Sequence, residues 1–196
     1  MATMRRTSSL GQDYFEGIFA RDDDPWELAS SNYERAKFER SIAAINDCRY
    51  AAGLEVGCAQ GVLTQKLLPL CDRLLAIDIS AIALKRARLA LGPQPGLMFA
   101  QMAFPRQSPD GRFDLCVLSE VAYYWERADL MAAGRWLCEH MEEGARVLLV
   151  HYTGDTDYPA TADEALGTLE HATHELFASR LAERHQQYRL DLWERT

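Results

Sequence analysis

Residues 54–61 read Leu-Glu-Val-Gly-Cys-Ala-Gln-Gly, and Asp78 closes a second apolar run twenty-one residues after Gly57. A strand ending in glycine, a tight turn, a helix start and a following strand ending in an acid together form a nucleoside-binding device. Glycine lets the backbone approach a ligand where a side chain would block it. A carboxylate at the tip of the next strand can accept hydrogen bonds from both ribose hydroxyls. Capping of the following helix is the alternative use of Asp78, but Ser80 can serve there and leave the acid free. A dinucleotide loop would read G-x-G-x-x-G, because a pyrophosphate must lie against backbone N–H groups. Here Ala59 stands at the second glycine position, and no Lys-Ser/Thr pair follows Gly61. The loop therefore suits a ligand with a ribose and no phosphate.

The elements that must position these residues alternate. Short apolar runs at 53–56, 73–77, 97–100, 113–118 and 145–150 predict strands. Amphipathic stretches at 62–70, 81–91, 129–140 and 161–177 predict helices. This alternation predicts a doubly wound α/β fold, a mostly parallel sheet covered by helices on both faces. Two strand-like runs at 180–185 and 188–194 lie too close for a crossover and should form an antiparallel hairpin on the sheet edge. Ahead of the first strand, Ser31 is a plausible N-cap for a helix over 32–48, with Tyr33, Ala36, Lys37, Ile42, Ala43 and Ile45 as its buried stripe. Tyr14 to Trp26 mixes aromatics with acids and reads as an ordered cap, whereas residues 1–12 are polar and are expected to fray. One domain accounts for all 196 residues, 1–48 as N-terminal cap and helix and 50–196 as core.

E-x-G-x-x-x-G with an acid ending the next strand resembles the cofactor motif of class I S-adenosylmethionine-dependent methyltransferases. The order of elements, closing hairpin included, is that family's seven-stranded sheet. Asp23-Asp24-Pro25-Trp26, Tyr33-Glu34-x-x-Lys37, Ser119-Glu120-Val121-x-Tyr123-Tyr124 and His151-Tyr152 are similar to segments of nodulation-protein-S-like N-methyltransferases. These enzymes methylate an amino sugar, in the founding case a de-N-acetylated chitooligosaccharide. The resemblance implies S-adenosyl-L-methionine as cofactor, with Glu55, Gly57, Cys58, Gly61, Asp78 and Ile79 around it. It adds Gln101, Met102 and Ala103 at the adenine, where the usual acid is missing, and Ser119 beyond the fourth strand. It further implies that the N-terminal helix closes over the cofactor with Tyr33 and Lys37, one helical turn apart, Lys37 meeting the carboxylate. A solvated lysine is the plain alternative for Lys37. Glu55, inside the first strand, either holds the methionine end of the cofactor or pairs with a Lys or Arg.

Methyl transfer from a sulfonium is an in-line displacement that needs a neutral lone-pair nucleophile, so an ammonium acceptor must first lose its proton. Glu120, set between Leu118 and Val121, and His151, ending the fifth strand, are the candidate bases; both follow strands at the carboxyl edge of the sheet. A strand-end histidine bonded to backbone is the bland alternative for His151. Tyr123, Tyr124 and Trp125 offer faces to a cation or a sugar ring, or simply pack a short helix. Gly154 and Pro159 flank an acidic pair in the loop after His151, as in a mobile lid or a sugar-binding wall. His171 and His174 have zinc-compatible spacing but lack further ligands, so no metal is expected.

The formal net charge of −8 and the lack of a Lys/Arg track argue against a nucleic-acid partner and suit a cationic small-molecule acceptor. No run is long and apolar enough for a membrane span, no secretory signal is present, and the five cysteines lack C-x-x-C spacing, so a cytoplasmic protein with reduced thiols is expected. Transfer to oxygen or carbon of another metabolite, and a nucleoside-binding partner protein without turnover, are the alternatives. The oligomeric state is not encoded in any of these features.

Overall fold

A computed structural model describes residues 5–196. They form two compact units: Gly11–Ala103, and Phe104–Thr196 with the described residues up to Leu10. In the first unit the elements run α1 (Gln12–Phe19), α2 (Asn32–Ala43), β1 (Gly53–Val56), α3 (Val62–Leu67), β2 (Leu74–Asp78), α4 (Ala81–Leu91) and β3 (Leu97–Gln101). In the second they run β4 (Phe113–Ser119), α5 (Arg127–His140), β5 (Met141–Tyr152), α6 (Ala162–Thr173), β6 (Phe177–Arg184) and β7 (Tyr188–Arg195). The seven strands make one sheet in the order β3-β2-β1-β4-β5-β7-β6. The pairs β1–β2, β2–β3 and β4–β5 are parallel, and β7 runs antiparallel to both β5 and β6. The closing hairpin thus exists, with β7 inside the sheet and β6 at its margin.

In the first unit, Leu54, Ala76 and Ile77 are fully buried, as strands of a parallel sheet covered on both faces require. The register sets Val56 opposite Ile77, and Asp78 opposite Gln101, so the polar strand ends fall on one edge. α4 starts where Ser80 Oγ accepts the Ala83 N–H at 3.2 Å and stops at Gly92, while Ala83, Leu84 and Ala87 form its buried stripe. α1 is tied to α4 from both ends. Glu16 accepts hydrogen bonds from Ser80 Oγ and Ala81 N, both at 2.8 Å, and Arg86 donates to the Phe19 and Asp22 carbonyls at 2.8 and 3.0 Å. The stretch expected only as an ordered cap therefore opens with a true helix.

Several expectations need correction. Residues 5–10 are held rather than frayed: Arg6 N–H donates to the Asp157 carbonyl at 2.9 Å, and Ser9 Oγ to Asp129 at 2.5 Å. Residues 1–4 lie outside the described residues. α2 ends at Ala43, and its buried face is Glu34, Lys37, Phe38 and Ser41, while Ala36 and Ala43 are exposed. An acid and a base share that face with Lys37 Nζ 2.9 Å from Glu34 Oε1, each offsetting part of the other's burial cost. After α3 a single 3-10 turn covers Leu68–Leu70, where Pro69 has no N–H to continue an α-helix. β5 begins four residues earlier than Ala145, accommodated by a register shift against β4 and a positive φ at Gly144. α6 stops at Thr173, and Phe177 opens β6 instead. Gly134 lets α5 approach α6 closely, since a Cβ there would fall 2.4 Å from Ala172 Cβ.

Among the described residues no helix is long and apolar enough to cross a membrane, and no three His, Cys, Asp or Glu side chains are grouped to hold a metal ion. The His171 and His174 rings stack at 5.9 Å, and His174 Nδ1 engages the His171 carbonyl.

Candidate functional site

The turn after β1 closes on itself and on β2. Gly57 and Cys58 donate to the Ile77 carbonyl at 2.8 and 3.0 Å, and Gly61 donates to the Cys58 carbonyl at 2.9 Å. Gly57 and Gly61 have φ of 76° and 88°, and Ala59 is forced to 47° between them. At Gly61 the requirement is double, because a Cβ would also meet Leu91 Cδ1 at 2.8 Å. Tight packing is therefore a real part of what this glycine does.

Asp78 holds the turn in place. Its Oδ2 accepts the Ala59 N–H and its Oδ1 the Ser80 N–H, both at 2.8 Å. Capping of α4 falls to Ser80, as expected. The carboxylate keeps acceptor capacity beyond these backbone donors, which is what a ribose hydroxyl needs. Burial, with a smaller push from the Glu16 charge, raises the Asp78 pKa to about 6, against the backbone N–H groups of Ser80, Ala59 and Ile79 that pull it back. The group is ionised at neutral pH.

Glu55 behaves differently. It is 2 % exposed, and its partner is the Thr64 hydroxyl at 2.6 Å rather than a Lys or Arg. Burial, opposed by that hydrogen bond and assisted by the nearby Asp78 charge, raises its pKa to about 8. Its folded pKa therefore exceeds the ordinary 4.5, and its contribution to stability is full below that value and lost as pH rises through about 8. Glu55→Gln, neutral at every pH, should flatten this loss. Melting curves between pH 5 and pH 9 should show wild type falling relative to the variant, by on the order of 4 kcal/mol in stability. Parallel curves would show that Glu55 ionises freely in the fold.

Beyond β3, Gln101 Nε2 donates to the Ile79 carbonyl at 3.0 Å, which leaves the Gln101 carbonyl as an acceptor, and Met102 N–H donates to the Asp78 carbonyl at 3.0 Å. Met102 and Ala103 are half-buried beside them. Cys58 is buried in the turn, and burial pushes its thiol pKa up. Lys37 is not solvated: it is 3 % exposed, paired with Glu34, and lies 5.2 Å from the centre of the half-buried Tyr33 ring. The sequence reading passed over Gln60 and Thr64, and took Asp24 only as part of the cap. Asp24 accepts from Leu28 N, Ala29 N and Gln60 Nε2. A ligand carrying a ribose and several N–H donors, but no phosphate, fits this set. It offers the acceptors of Asp78 and Gln101 and, at Gln60 Oε1, a buried acceptor that receives no hydrogen bond.

In the second unit, Ser119 ends β4 half-buried, and Glu120 takes a left-handed φ of 58°, a conformation that costs energy in a non-glycine residue. Glu120 Oε2 accepts the Tyr152 N–H at 2.9 Å and the Tyr123 hydroxyl. Burial and the neighbouring Glu120 push the Tyr123 phenol pKa up, so it stays a donor. Tyr123 stacks on Tyr158 at 5.3 Å, and Tyr124 meets both rings edge-on, at 4.8 and 4.7 Å. Trp125 packs on Phe104 and belongs to the core. Tyr158, from the loop after β5, joins this cluster.

His151 is the main correction. It is fully buried, and its Nε2 accepts the Ala122 N–H at 3.1 Å. The lone pair at that atom is spent on backbone, and a neutral imidazole then carries its proton on Nδ1. In this arrangement the ring fixes the turn after Glu120 through Ala122 N–H. The loop that follows is also fixed. Thr153 N donates to the Gln187 carbonyl, Ala160 N to the Tyr123 carbonyl, and Asp157 is bonded to Arg6. This favours a standing wall over a moving lid.

Residues 13–149 match the profile of the nodulation protein S (NodS) family. The chain belongs to that family. Nodulation protein S of Bradyrhizobium diazoefficiens is 38% identical over 103 residues, which cover 52% of this chain and 49% of that one. The Rhizobium tropici protein is 35% identical over a stretch covering 52% and 43%. The matched part spans about half the length of these curated relatives or less. A Pseudomonas syringae chain, solved as a candidate methyltransferase, is 32% identical with a TM-score of 0.73, covering 83% of this chain and 99% of its own. The NodS N-methyltransferase of Bradyrhizobium japonicum, solved with S-adenosyl-L-homocysteine, superposes with a TM-score of 0.81 over 94% of this chain and 97% of its own, at 23% identity. This NodS-family chain therefore has the Rossmann-like fold of S-adenosylmethionine-dependent methyltransferases.

Proposed function

We propose that the chain is an S-adenosylmethionine-dependent N-methyltransferase acting on the amine of a small molecule of amino-sugar type. The observation that carries this reading is the Glu120 carboxylate. It is held at a strained turn by Tyr152 N–H and the Tyr123 hydroxyl, beside three tyrosine rings. An anion among aromatic faces suits an ammonium group or the face of a sugar. Family membership and the N-methyltransferase activity in the name of the Bradyrhizobium japonicum protein support the same class.

When bound, S-adenosylmethionine supplies a methyl group on a sulfonium. On this reading Asp78 receives the ribose hydroxyls and Gln101 the adenine amino group. Glu55 is neutral at pH 7 and adds no second charge beside Asp78. Glu120 holds the acceptor ammonium and takes its proton on a carboxylate oxygen, leaving the nitrogen lone pair free to attack. His151 positions Ala122. All five cysteines are free thiols, which supports a reducing, cytoplasmic location.

The test is a mass-spectrometric screen with isotopically labelled cofactor. It offers glucosamine, a de-N-acetylated chitooligosaccharide, simple primary amines and hydroxyl acceptors side by side. Label should appear on nitrogen. Label confined to oxygen or carbon would replace the amine reading, and cofactor binding without any product would point to a nucleoside-binding protein.

A further inference from the structure

The glycine turn contains an acceptor that its motif does not explain. Gln60 sits between Ala59, whose N–H is held by Asp78, and Gly61, the residue before α3. Its side-chain Nε2 donates to Asp24 Oδ1 at 2.5 Å, while its Oε1 is buried and receives no hydrogen bond. The amide cannot be turned the other way. An ionised carboxylate has only acceptors, so Asp24 must face the NH2 end and the carbonyl must face elsewhere. Asp24 is itself immobilised, with Leu28 N at 2.7 Å, Ala29 N at 3.1 Å and Ser30 Oγ at 3.3 Å. The turn therefore holds a buried carbonyl oxygen in a fixed direction, which is costly unless a donor arrives.

S-adenosylmethionine has three kinds of N–H or O–H donor: the adenine amino group, the ribose hydroxyls and the α-ammonium. On the proposed reading the first two are met by Gln101 and Asp78. The Asp24 carboxylate, one amide away, adds a negative field that favours a cationic donor and disfavours the cofactor's own carboxylate. We propose that Gln60 Oε1 accepts a hydrogen bond from the α-ammonium of the cofactor, with Asp24 as the residue that positions it. This rests on the methyltransferase reading and goes beyond its motif, which assigns the turn's backbone and the two acids but not the Gln60 side chain.

Two ligands separate the contributions. S-adenosylhomocysteine carries the ammonium, whereas 5′-methylthioadenosine keeps adenine, ribose and sulfur and lacks the amino-acid end. Gln60→Met and Gln60→Ala, two replacements of different volume at a half-buried position, should weaken S-adenosylhomocysteine roughly ten- to hundredfold by calorimetry. The affinity for 5′-methylthioadenosine should stay within about twofold of wild type, the margin of an untouched contact. Asp24→Ala should narrow the ratio of the two affinities in the same direction. Equal losses for both ligands, or no loss for either, overturn the proposal while leaving the methyltransferase reading in place. Failure of the wild-type protein to bind S-adenosylhomocysteine overturns both.

Discussion

Asp78→Ala is expected to raise the dissociation constant for S-adenosylhomocysteine by about a hundredfold or more while the far-UV circular dichroism stays unchanged. Two charge-assisted hydrogen bonds to ribose hydroxyls, each worth roughly 1.5–3 kcal/mol, set that scale. The variant also releases the Ala59 and Ser80 N–H groups that the carboxylate holds at 2.8 Å. Both effects act on the cofactor side. Because burial sets the Asp78 pKa at about 6, wild-type affinity should already weaken below that pH, by about tenfold per unit once the group is protonated. Affinity indifferent to the substitution would show that Asp78 only organises the turn.

Glu120→Gln is expected to act on turnover instead. The amide keeps the length of the side chain and can still accept from Tyr152 N–H and the Tyr123 hydroxyl, but it cannot take a proton. A drop in kcat of roughly 10²–10³-fold follows if Glu120 is the base, since general-base contributions lie in that range. The dissociation constant for S-adenosylhomocysteine should not change. Raising the pH should partly rescue the variant, because an amine that is already neutral needs no base. A normal rate at neutral pH would move the proton acceptor away from Glu120.

These variants test residues that differ in how readable they were from the sequence. β1 and α4 were legible to the residue, because Gly53, Ser80 and Gly92 mark their ends with local chemistry and their apolar spacing is unambiguous. The place of Asp78 at the end of β2 was legible for the same reason. The role of His151 was not: its spacing and strand-end position suited a base, but its partner, Ala122 N–H, lies 29 residues away in sequence. Burial of Lys37 was legible from its place in the apolar stripe of α2, but its pairing with Glu34 was not, because helical spacing alone does not say which charges meet. Gln60 was passed over because its side chain gains meaning only once Asp24, 36 residues earlier, is brought to it. Local pattern located the elements, whereas the polar network that tunes the site came from contacts between distant segments.

The tie between α1 and α4 bears on the order in which the chain can fold. Ser80 starts α4 from its own neighbourhood and needs no other segment. The next N–H groups are satisfied by Glu16, 65 and 66 positions earlier. That contact carries the entropy of closing a long loop, so it forms after the local turn and gains from whatever has already brought α1 near. Completion of the first turn of α4 and docking of the N-terminal segment are then a single late event. A nascent chain would hold Asp78 at the end of a strand, beside a helix whose start is only partly built, until that docking is done.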